Sequence, residues 1–360
     1  MPQGENFWNP YRMIPVRNRI EKKSPATDEK FTGKNGRITC TLKNLTPLFV
    51  SKGNTGNPRI FQTRNNRHVI PGSSLKGVLR SLAEIVGGGC FITGSTNRQF
   101  APCEAAHSLC ITCRMFGMME RGRNARVHKG NVSIGDAILQ DEQATTIMHE
   151  VLLGSPAPRH QSFYITPENG RFDRKSRKLY FHQPQVNDKF TQVPNNLKKH
   201  AWNVSALAPG HDFEFQILFS NLLPDELNLL TYILVLEEDV QVTIGEENLR
   251  LRGPLRHKIG NAKPLGMGSC HIAIKKLEFF EEPSKRFTSL GNAIGTMYEG
   301  EDLKQQISEM INNYTQDTST VMQQLRKMMV WDENDSRVFH YPDYHWFKAQ
   351  GNSQIELKTV

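Results

Sequence analysis

Apolar and polar residues alternate along two stretches of the chain, in the first half of Gly36–Val50 and throughout Phe213–Phe219. A period of two is the pattern of a β-strand with one buried face. Three further strands are predicted, at 127–139, 178–182 and 270–280. Helical spacing predicts one helix at about 73–86 and a second at about 222–237, which Pro224 and two acids open. Helices and strands in this order predict an α+β fold of the form β-α-β-β-α-β.

The remaining segments lack such regular patterns. Residues 51–68 form a polar loop rich in glycine and asparagine, and the stretch at about 140–210 is predicted to be an irregular basic insertion. Helical spacing returns over Glu301–Met329 and is followed by a group of aromatic residues: Trp331, Phe339, Tyr341, Tyr344, Trp346 and Phe347. This group either stacks on bases or packs the C-terminal segment onto the core, and the acids among it favour packing. We divide the chain into an N-terminal arm at 1–35, a core at 36–280 and a helical and aromatic appendage at 281–360.

Net charge adds a preference for anionic partners. The 360 residues include 45 Lys and Arg against 36 Asp and Glu, a net charge of +9. Such an excess favours association with an anionic polymer, although a basic surface kept for solubility gives the same balance. No apolar run reaches the roughly 18 residues of a membrane span, and the N-terminal residues lack the shape of a signal peptide. We therefore expect a cytoplasmic protein with no membrane partner.

Four of the six cysteines lie close together in the sequence. They follow the spacing C-x12-C-x6-C-x2-C at Cys90, Cys103, Cys110 and Cys113. The surrounding segment, about 87–117, is too polar and irregular to fold around a core of its own. In a reducing compartment such a cluster indicates a metal site rather than disulfides, and four thiolates favour structural Zn²⁺. His107 competes with one cysteine as a ligand, and buried free thiols are the alternative to a metal.

The stretch VIPGSSLKGVLR at 69–80 predicts a turn that leads into a helix. With Ser73 or Ser74 as N-cap, several backbone N–H groups at the helix start stay unpaired, and they suit a phosphate. Lys76 and Arg80 are four residues apart and share a face one turn further on. A capped amphipathic helix with two solvated cations explains the same pattern equally well.

A second informative stretch, KIGNAKPLGMGSCH at 258–271, is rich in glycine and precedes the last predicted strand of the core. Glycines allow a backbone to approach a ligand closely or to adopt positive φ. No acid lies between Asn248 and His271, whereas five cations do. An uncompensated basic loop fits a polyanion, although many glycine-rich loops are plain hairpins.

Together these two stretches resemble the RAMP superfamily of CRISPR-associated proteins, in which an IPGSSLKG helix start and a C-terminal glycine-rich loop bracket an RNA-binding, ferredoxin-like (RRM-like) core. Other stretches are similar to one branch, the Cas-seven-type backbone subunits of type III (III-D-like) effector complexes. They are NPY with IP at 9–15, TPLFV at 46–50, CRMFG at 113–117, VLLGSPAPRHQSFYI at 151–165, KLYFH at 178–182, FSNLLPDELNLL at 219–230 and KPLGMGS at 263–269. The resemblance covers about 9–280 and implies one RAMP core with zinc-binding and other large insertions. Two cores are the alternative, but only one IPGSS motif and one such loop are present.

The resemblance implies a subunit that holds guide (CRISPR) RNA and the target RNA paired with it, beside other effector subunits. The RNA-binding candidates lie on the helix start, the glycine-rich loop, the loop 51–68 and the VLLGSPAPRHQSFYI stretch. They are Arg59, Phe61, Arg64, Ser73, Ser74, Lys76, Arg80, Arg159, His160, Lys263, Gly266, Met267 and Gly268. Phe61 either stacks on a displaced base or anchors its loop on the core.

The backbone subunits of this superfamily that cleave target RNA are similar in having an aspartate in the loop before the IPGSS motif. Here the loop 51–68 contains no Asp or Glu. Because phosphodiester cleavage by this route needs a positioned acid, or a metal held by one, we expect binding without cleavage. Asp28 and His68 remain as weak candidates for catalysis. The alternative function is an endoribonuclease that cuts target RNA or precursor guide RNA.

Overall fold

The computed structural model describes residues 8–17, 20–27, 29–53, 56–91, 100–120, 122–141, 143–153, 176–185, 193, 195–245, 248–280 and 294–341. Three of the predicted site residues, Asp28, Arg159 and His160, lie outside these residues, as do the aromatic residues Tyr344, Trp346 and Phe347. None of the helices in the described residues is long and apolar enough to cross a membrane.

The described chain contains strands and helices in alternation. The strands are β1 (Tyr11–Pro15), β2 (Lys22–Lys23), β3 (Lys34–Asn44), β4 (Thr63–Arg64), β5 (Arg67–Ile70), β6 (Leu109–Cys110), β7 (Met118–Met119), β8 (Val127–His128), β9 (Val132–Ile134), β10 (Ala137–Leu139), β11 (Thr146–Val151), β12 (Ser176–Tyr180), β13 (Trp202–Leu207), β14 (Asp212–Leu222), β15 (Val240–Ile244), β16 (Leu249–Gly253), β17 (His257–Lys258), β18 (Ser269–Phe280) and β19 (Ile294–Tyr298). The helices are α1 (Gly72–Gly87), α2 (Ile111–Phe116), α3 (Pro224–Val235), α4 (Gly300–Thr315) and α5 (Thr320–Met329). The α+β class is confirmed.

The central sheet is antiparallel, and its long strands are the ones that alternation predicts. Its order is β17-β18-β3-β14-β10-β5-β4, with β19 beside β18 and β9 beside β14. On β3 the side chains of Ile38, Cys40 and Leu42 are buried, and Leu42 lies between Phe213 of β14 and Ile272 of β18. The helices α1 and α3 contact each other and complete the core with this face of the sheet. Burial of each such side chain contributes roughly 1.5–3 kcal/mol, so the alternation determines which face of the sheet the helices cover.

Three segments differ from their sequence-based prediction. The stretch at about 140–210 is not irregular throughout, because β11 and β13 pair as antiparallel strands within it. The prediction of a single strand at 127–139 is wrong, because this segment forms three short strands, β8, β9 and β10. The loop 51–68 is not entirely irregular: β4 and β5 form a hairpin whose turn residues, Asn65 and Asn66, both have positive φ. Two such residues make the tight turn that matches strand twist, and asparagine adopts this conformation more readily than most residues.

The C-terminal helices pack against the rest of the core. Arg326 of α5 binds Glu237, just after α3, with Nε 3.0 Å from each carboxylate oxygen, and it also donates to the carbonyl oxygen of Tyr314 at the end of α4. Trp331 and Phe339 are buried, and Phe339 stacks on Phe181 with ring centroids 4.9 Å apart. Of the two explanations for the aromatic group, packing therefore applies to these two side chains.

Candidate nucleic-acid interface and metal centre

The start of α1 is capped by an acid from a distant part of the chain. The helix begins at Gly72, and neither Ser73 nor Ser74 is the N-cap, so that prediction is wrong. Instead the Gly72 N–H donates to Asp136 Oδ1 at 2.9 Å, and Arg64 forms an ion pair with the same carboxylate. A carboxylate is stabilised at the positive end of a helix. A phosphate at this helix start would have to compete with Asp136.

The middle of α1 faces a partly open cleft of about 320 Å³. From α1 the cleft is lined by Ser74, Gly77, Val78, Ser81 and Leu82. From across the cleft come residues of β12, residues of β17 and its flanks, the glycine-rich loop and the end of α5: Lys178, Leu179, Tyr180, His182, Arg256, His257, Lys258, Lys263 and Met329. The fold thus brings the two motif stretches, 69–80 and 258–271, to opposite walls of one cleft.

Positive charge in this cleft is not balanced by acids. Lys178, Lys258 and Lys263 line it, and no Asp or Glu is among the described residues that do. Among the described residues, the groups that accept hydrogen bonds from Lys258 Nζ are neutral: Gly266 O at 3.2 Å and Ser269 Oγ at 3.3 Å. Arg256 differs, because it pairs with Glu238 at 3.0 Å. Lys258 and Lys263 therefore present ammonium groups that no acid among the described lining residues neutralises.

Burial lowers the pKa values of these lysines. Burial, followed by repulsion from Lys263, lowers the pKa of Lys258 to about 7. Burial lowers the pKa of Lys178 to about 8, while its ammonium lies 3.5 Å from the centre of the Tyr11 ring. Burial also lowers the pKa of Lys263. Because an anion in the cleft would favour the charged form of each, binding of a phosphate and uptake of protons are coupled here.

Among the RNA-binding candidates on the two motif stretches, only Ser74 and Lys263 line this cleft. Lys76 is partly buried, and its pKa is lowered by burial and by the neighbouring Arg80. Met267 is buried in the core. At Gly268, where φ is +83°, a Cβ would lie 1.9 Å from the carbonyl oxygen of Ile259, so packing within the chain explains this glycine. Gly266 also has positive φ, +89°.

Arg80 is not among the residues that line the cleft, although it lies close enough to Lys76 to lower the pKa of that lysine. Its side chain is only 13% exposed and donates to the carbonyl oxygen of Gly117 at 2.9 Å and to Cys113 Sγ at 3.4 Å. It also binds Glu84 on the next turn of the helix, at 3.2 Å. Arg80 therefore supports the cysteine cluster.

The loop 51–68 contributes buried as well as exposed groups. Phe61 is 2% exposed and packs against Phe213, with ring centroids 6.5 Å apart, which is the anchoring explanation rather than the base-stacking one. Arg59 lies over the Trp202 ring at 3.9 Å. His68 contacts the Phe61 ring, and its pKa is lowered by burial and by His211. These contacts hold the loop on the core.

The four predicted cysteines do come together. Their sulfur atoms all lie within 4.8 Å of one another, and all four side chains are buried. In a tetrahedral zinc site with Zn–S bonds of about 2.3 Å the sulfurs lie about 3.8 Å apart, which this spacing fits. Hydrogen bonds with the Cys103 and Cys113 thiols lower the pKa of Cys110. His107 is exposed and is not part of the group, so it is not the alternative ligand in this arrangement.

Polar groups around the cluster are arranged to donate to its sulfurs. The Cys110 N–H lies 3.3 Å from Cys103 Sγ, the Cys90 N–H lies 3.5 Å from Cys110 Sγ, and the Thr112 hydroxyl is 3.2 Å from Cys110 Sγ. Such donors stabilise the thiolate form that metals bind. The residues present can therefore hold a metal ion.

A buried ion pair fixes the cluster to the core. Arg114, the residue after Cys113, is 2% exposed, and its Nε lies 2.5 Å from Oε1 of Glu226 at the start of α3. Its Nη1 also donates to the carbonyl oxygen of Leu109, at 3.2 Å. The cluster is thus connected to α3 through Arg114 and to α1 through Arg80.

Some residues of the site were not among the sequence-based candidates. Lys178 and Lys258 belong to stretches that the resemblance singles out, KLYFH and KIGNAKPLGMGSCH, but neither was assigned to RNA. Asp136 carries no local signal, because it reaches α1 from 64 residues further along the chain. A search for cations within the two motif stretches would have found Lys258. It would have missed Lys178, which lies outside them, and the acid Asp136, which also lies outside them.

Comparison with known proteins agrees with these features. No curated protein matches the chain. The family model of the RAMP superfamily matches residues 41–270, which include α1, the cysteine cluster, α3 and the glycine-rich loop. This match spans well over half of the 360 residues, and the chain therefore belongs to the RAMP superfamily.

Proposed function

We propose that this RAMP protein is an RNA-binding backbone subunit of a type III CRISPR effector complex, which holds guide RNA and the guide–target duplex in the cytoplasm beside other effector subunits. Membership in the superfamily suggests a CRISPR-associated, RNA-binding role. The observation that carries the proposal to this chain is the cleft between α1 and the glycine-rich loop, which Lys258 and Lys263 line with no acid among the described residues around them.

The chemistry of the cleft fits the backbone of a nucleic acid. Ammonium groups bind phosphate as point charges, and such contacts hold RNA in place without reading its sequence. In an RNA-guided complex the pairing of guide and target supplies the sequence specificity, so a subunit of this kind needs only backbone contacts.

A ferredoxin-like core is the architecture that we propose for the central sheet. In its support, the four strands β18-β3-β14-β10 are antiparallel neighbours, α1 follows β3 in the chain, and α3 follows β14. Apart from the short strands β4 and β5 between β3 and α1, this order supports a β-α-β-β-α-β connection with two helices on one face of the sheet.

We also propose that the cysteine cluster binds one structural Zn²⁺. Four thiolates form a closed tetrahedral site, which leaves no open position for a substrate. The role of the metal in this proposal is to hold together the segment around 87–117, whose four thiols form a small buried cluster separate from the main core.

We propose binding without cleavage. The loop 51–68 contributes no carboxylate, and the acid beside it, Asp136, is engaged by Arg64 and by the N–H of Gly72. The alternative, an endoribonuclease that cuts target or precursor guide RNA, predicts RNA products from the purified protein or its complex. Cleavage opposite this chain that persists when the catalytic acids of the other subunits are removed would establish the alternative.

A test of RNA binding uses Lys263→Ala, with Lys198→Ala as the matched control, since Lys198 is exposed in the short 3-10 helix Asn195–His200 and lies outside the cleft. Labelled single-stranded RNA is titrated at several salt concentrations. We expect Lys263→Ala to weaken binding about equally for all sequences and to reduce the slope of log affinity against log salt by roughly 0.7, the value for one phosphate contact on a single strand.

The control should leave affinity and slope close to those of the wild type. Equal affinities and slopes for wild type and Lys263→Ala, with both proteins folded, would contradict the proposal that the cleft holds the RNA backbone.

A further inference from the structure

A glycine in the middle of α1 has no packing explanation. Gly77 lies in the interior of the helix Gly72–Gly87 and is exposed. Apart from its chain neighbours and the backbone of its own helix, a Cβ built on it would meet no atom of the described residues within 4 Å, whereas one on Gly72, at the start of the same helix, would lie 2.2 Å from the carbonyl oxygen of Ile134. Glycine destabilises a helix relative to alanine. Nothing in the described chain requires that cost at Gly77.

Gly77 lines the cleft that contains Lys258 and Lys263, which suggests that a ligand occupies the space beside it. Apolar side chains line the cleft as well: Val78 and Leu82 of α1, Leu179 of β12 and Met329 of α5. The lining thus combines lysines, apolar side chains and, at Gly77, helix backbone that no side chain covers. Glycine is the residue that allows a ligand to approach a backbone closely.

The size of the cleft is more than a single phosphate needs. Its volume of about 320 Å³ reaches the range in which pockets begin to accept organic ligands, from about 300 Å³. A phosphate bound by Lys258 and Lys263 would use only part of this lining. The apolar side chains fit the ring of a base, which is the part of a nucleotide that gains from leaving water.

We propose that the cleft receives one whole nucleotide of a single-stranded RNA, with its phosphate on Lys258 and Lys263 and its base over Gly77 and Val78. Gly77 is a binding residue in this arrangement, because any side chain there would occupy the place of the base. This inference rests on the proposed RNA-binding function and adds that a base enters the cleft together with the phosphate.

The test compares wild type with Gly77→Ala and Gly77→Leu, and it uses Ser308→Leu on the exposed side of α4 as a matched control. A fluorescent oligouridine is bound to each protein and displaced with uridine 5′-monophosphate or with inorganic phosphate. For the wild type we expect the monophosphate to displace the RNA at about tenfold lower concentration than phosphate, the ratio that about 1.4 kcal/mol of base contact gives.

For Gly77→Leu we expect oligouridine affinity to fall at least about tenfold and the advantage of the monophosphate over phosphate to disappear. Ser308→Leu should bind as the wild type does. Gly77→Ala should raise the unfolding temperature by about 1–3 °C, because alanine favours the helix, and should nevertheless bind RNA more weakly. A gain in stability with a loss of binding cannot come from misfolding.

Two results would overturn the inference and leave the proposed function intact: equal displacement by monophosphate and phosphate, or wild-type RNA affinity in both Gly77 variants while Lys263→Ala still weakens binding. Failure of the wild type to bind oligouridine would overturn both proposals.

Discussion

Single side chains in the cleft connect pH with RNA binding. The pKa of Lys258 is about 7 and that of Lys178 about 8, so both lose their charge as pH rises through this range. A bound phosphate favours the charged form, and the affinity for RNA should therefore fall as pH rises between about pH 6 and about pH 8.5. Fluorescence titrations at constant ionic strength measure this. Constant affinity across that range would show that these lysines do not contact the RNA.

Lys258→Arg is the matched variant for this experiment. Arginine stays charged throughout the range, so the decline in affinity should become shallower. In the wild type without RNA, the stability of the fold should depend on pH in the opposite sense to the affinity for RNA, that is, it should increase as pH rises. Between the folded-state pKa of about 7 and the ordinary lysine value of 10.5, the unfolded chain holds more protons, so the free energy of unfolding should rise with pH.

Individual residues also show where sequence reasoning reached its limit. A helical repeat places Lys76 and Arg80 on one side of α1, but it cannot say that Arg80 would bend to Cys113 and Glu84. Likewise Gly268 looks like a ligand contact in sequence, whereas its neighbour in space is the backbone of Ile259. Which group lies across from a side chain depends on contacts between distant segments, and a local pattern does not contain them.

At the scale of elements, periodicity was a reliable guide wherever one face of a strand is buried. The strands β14 and β18 lie close to the predicted positions because burial acts on every second residue. It failed for 127–139, where three short strands are too brief to show a period. The cysteine spacing succeeded for another reason: four thiols close in sequence need only short chain segments to meet.

The N-terminus of α1 offers a prediction at this scale. Asp136→Ala removes the acceptor for the Gly72 N–H and the partner of Arg64. Loss of such a cap costs about 0.5–2 kcal/mol, so the free energy of unfolding in urea should fall by that amount. RNA affinity should not fall, because the variant removes a negative charge near the helix start.

Asp136→Asn is the matched control, since its amide oxygen can still accept the hydrogen bond from Gly72. It should recover part of the lost stability. If either variant instead abolished an RNA cleavage product of the complex while binding persisted, Asp136 would be a catalytic acid, and the non-cleaving assignment would be wrong.

At the scale of the whole molecule, the cysteine cluster connects elements that are far apart in the chain. Arg80 joins Cys113 to α1, and Arg114 joins the same segment to Glu226 of α3. Helix α1 therefore contacts both regions: some of its side chains line the cleft, and Arg80 contacts the cysteine cluster. Truncation of one partner of a buried ion pair costs about 3–5 kcal/mol, so loss of Arg114 or Glu226 should weaken the attachment of the cluster to α3.

Removal of the metal ligands should consequently affect both stability and RNA binding. We expect about one zinc per chain by elemental analysis of the purified protein, and loss of zinc in the double variant Cys110→Ser, Cys113→Ser. The unfolding temperature should fall by about 5 °C or more, because the segment around 87–117 loses its cross-link. RNA affinity should fall too, since α1 loses the support of Arg80.

Cys40→Ala, which changes a core thiol of β3 outside the cluster, should lower stability but keep the zinc. Full zinc in the double variant would show that these cysteines are not the ligands, and unchanged RNA affinity after loss of zinc would show that the cleft is independent of the cluster.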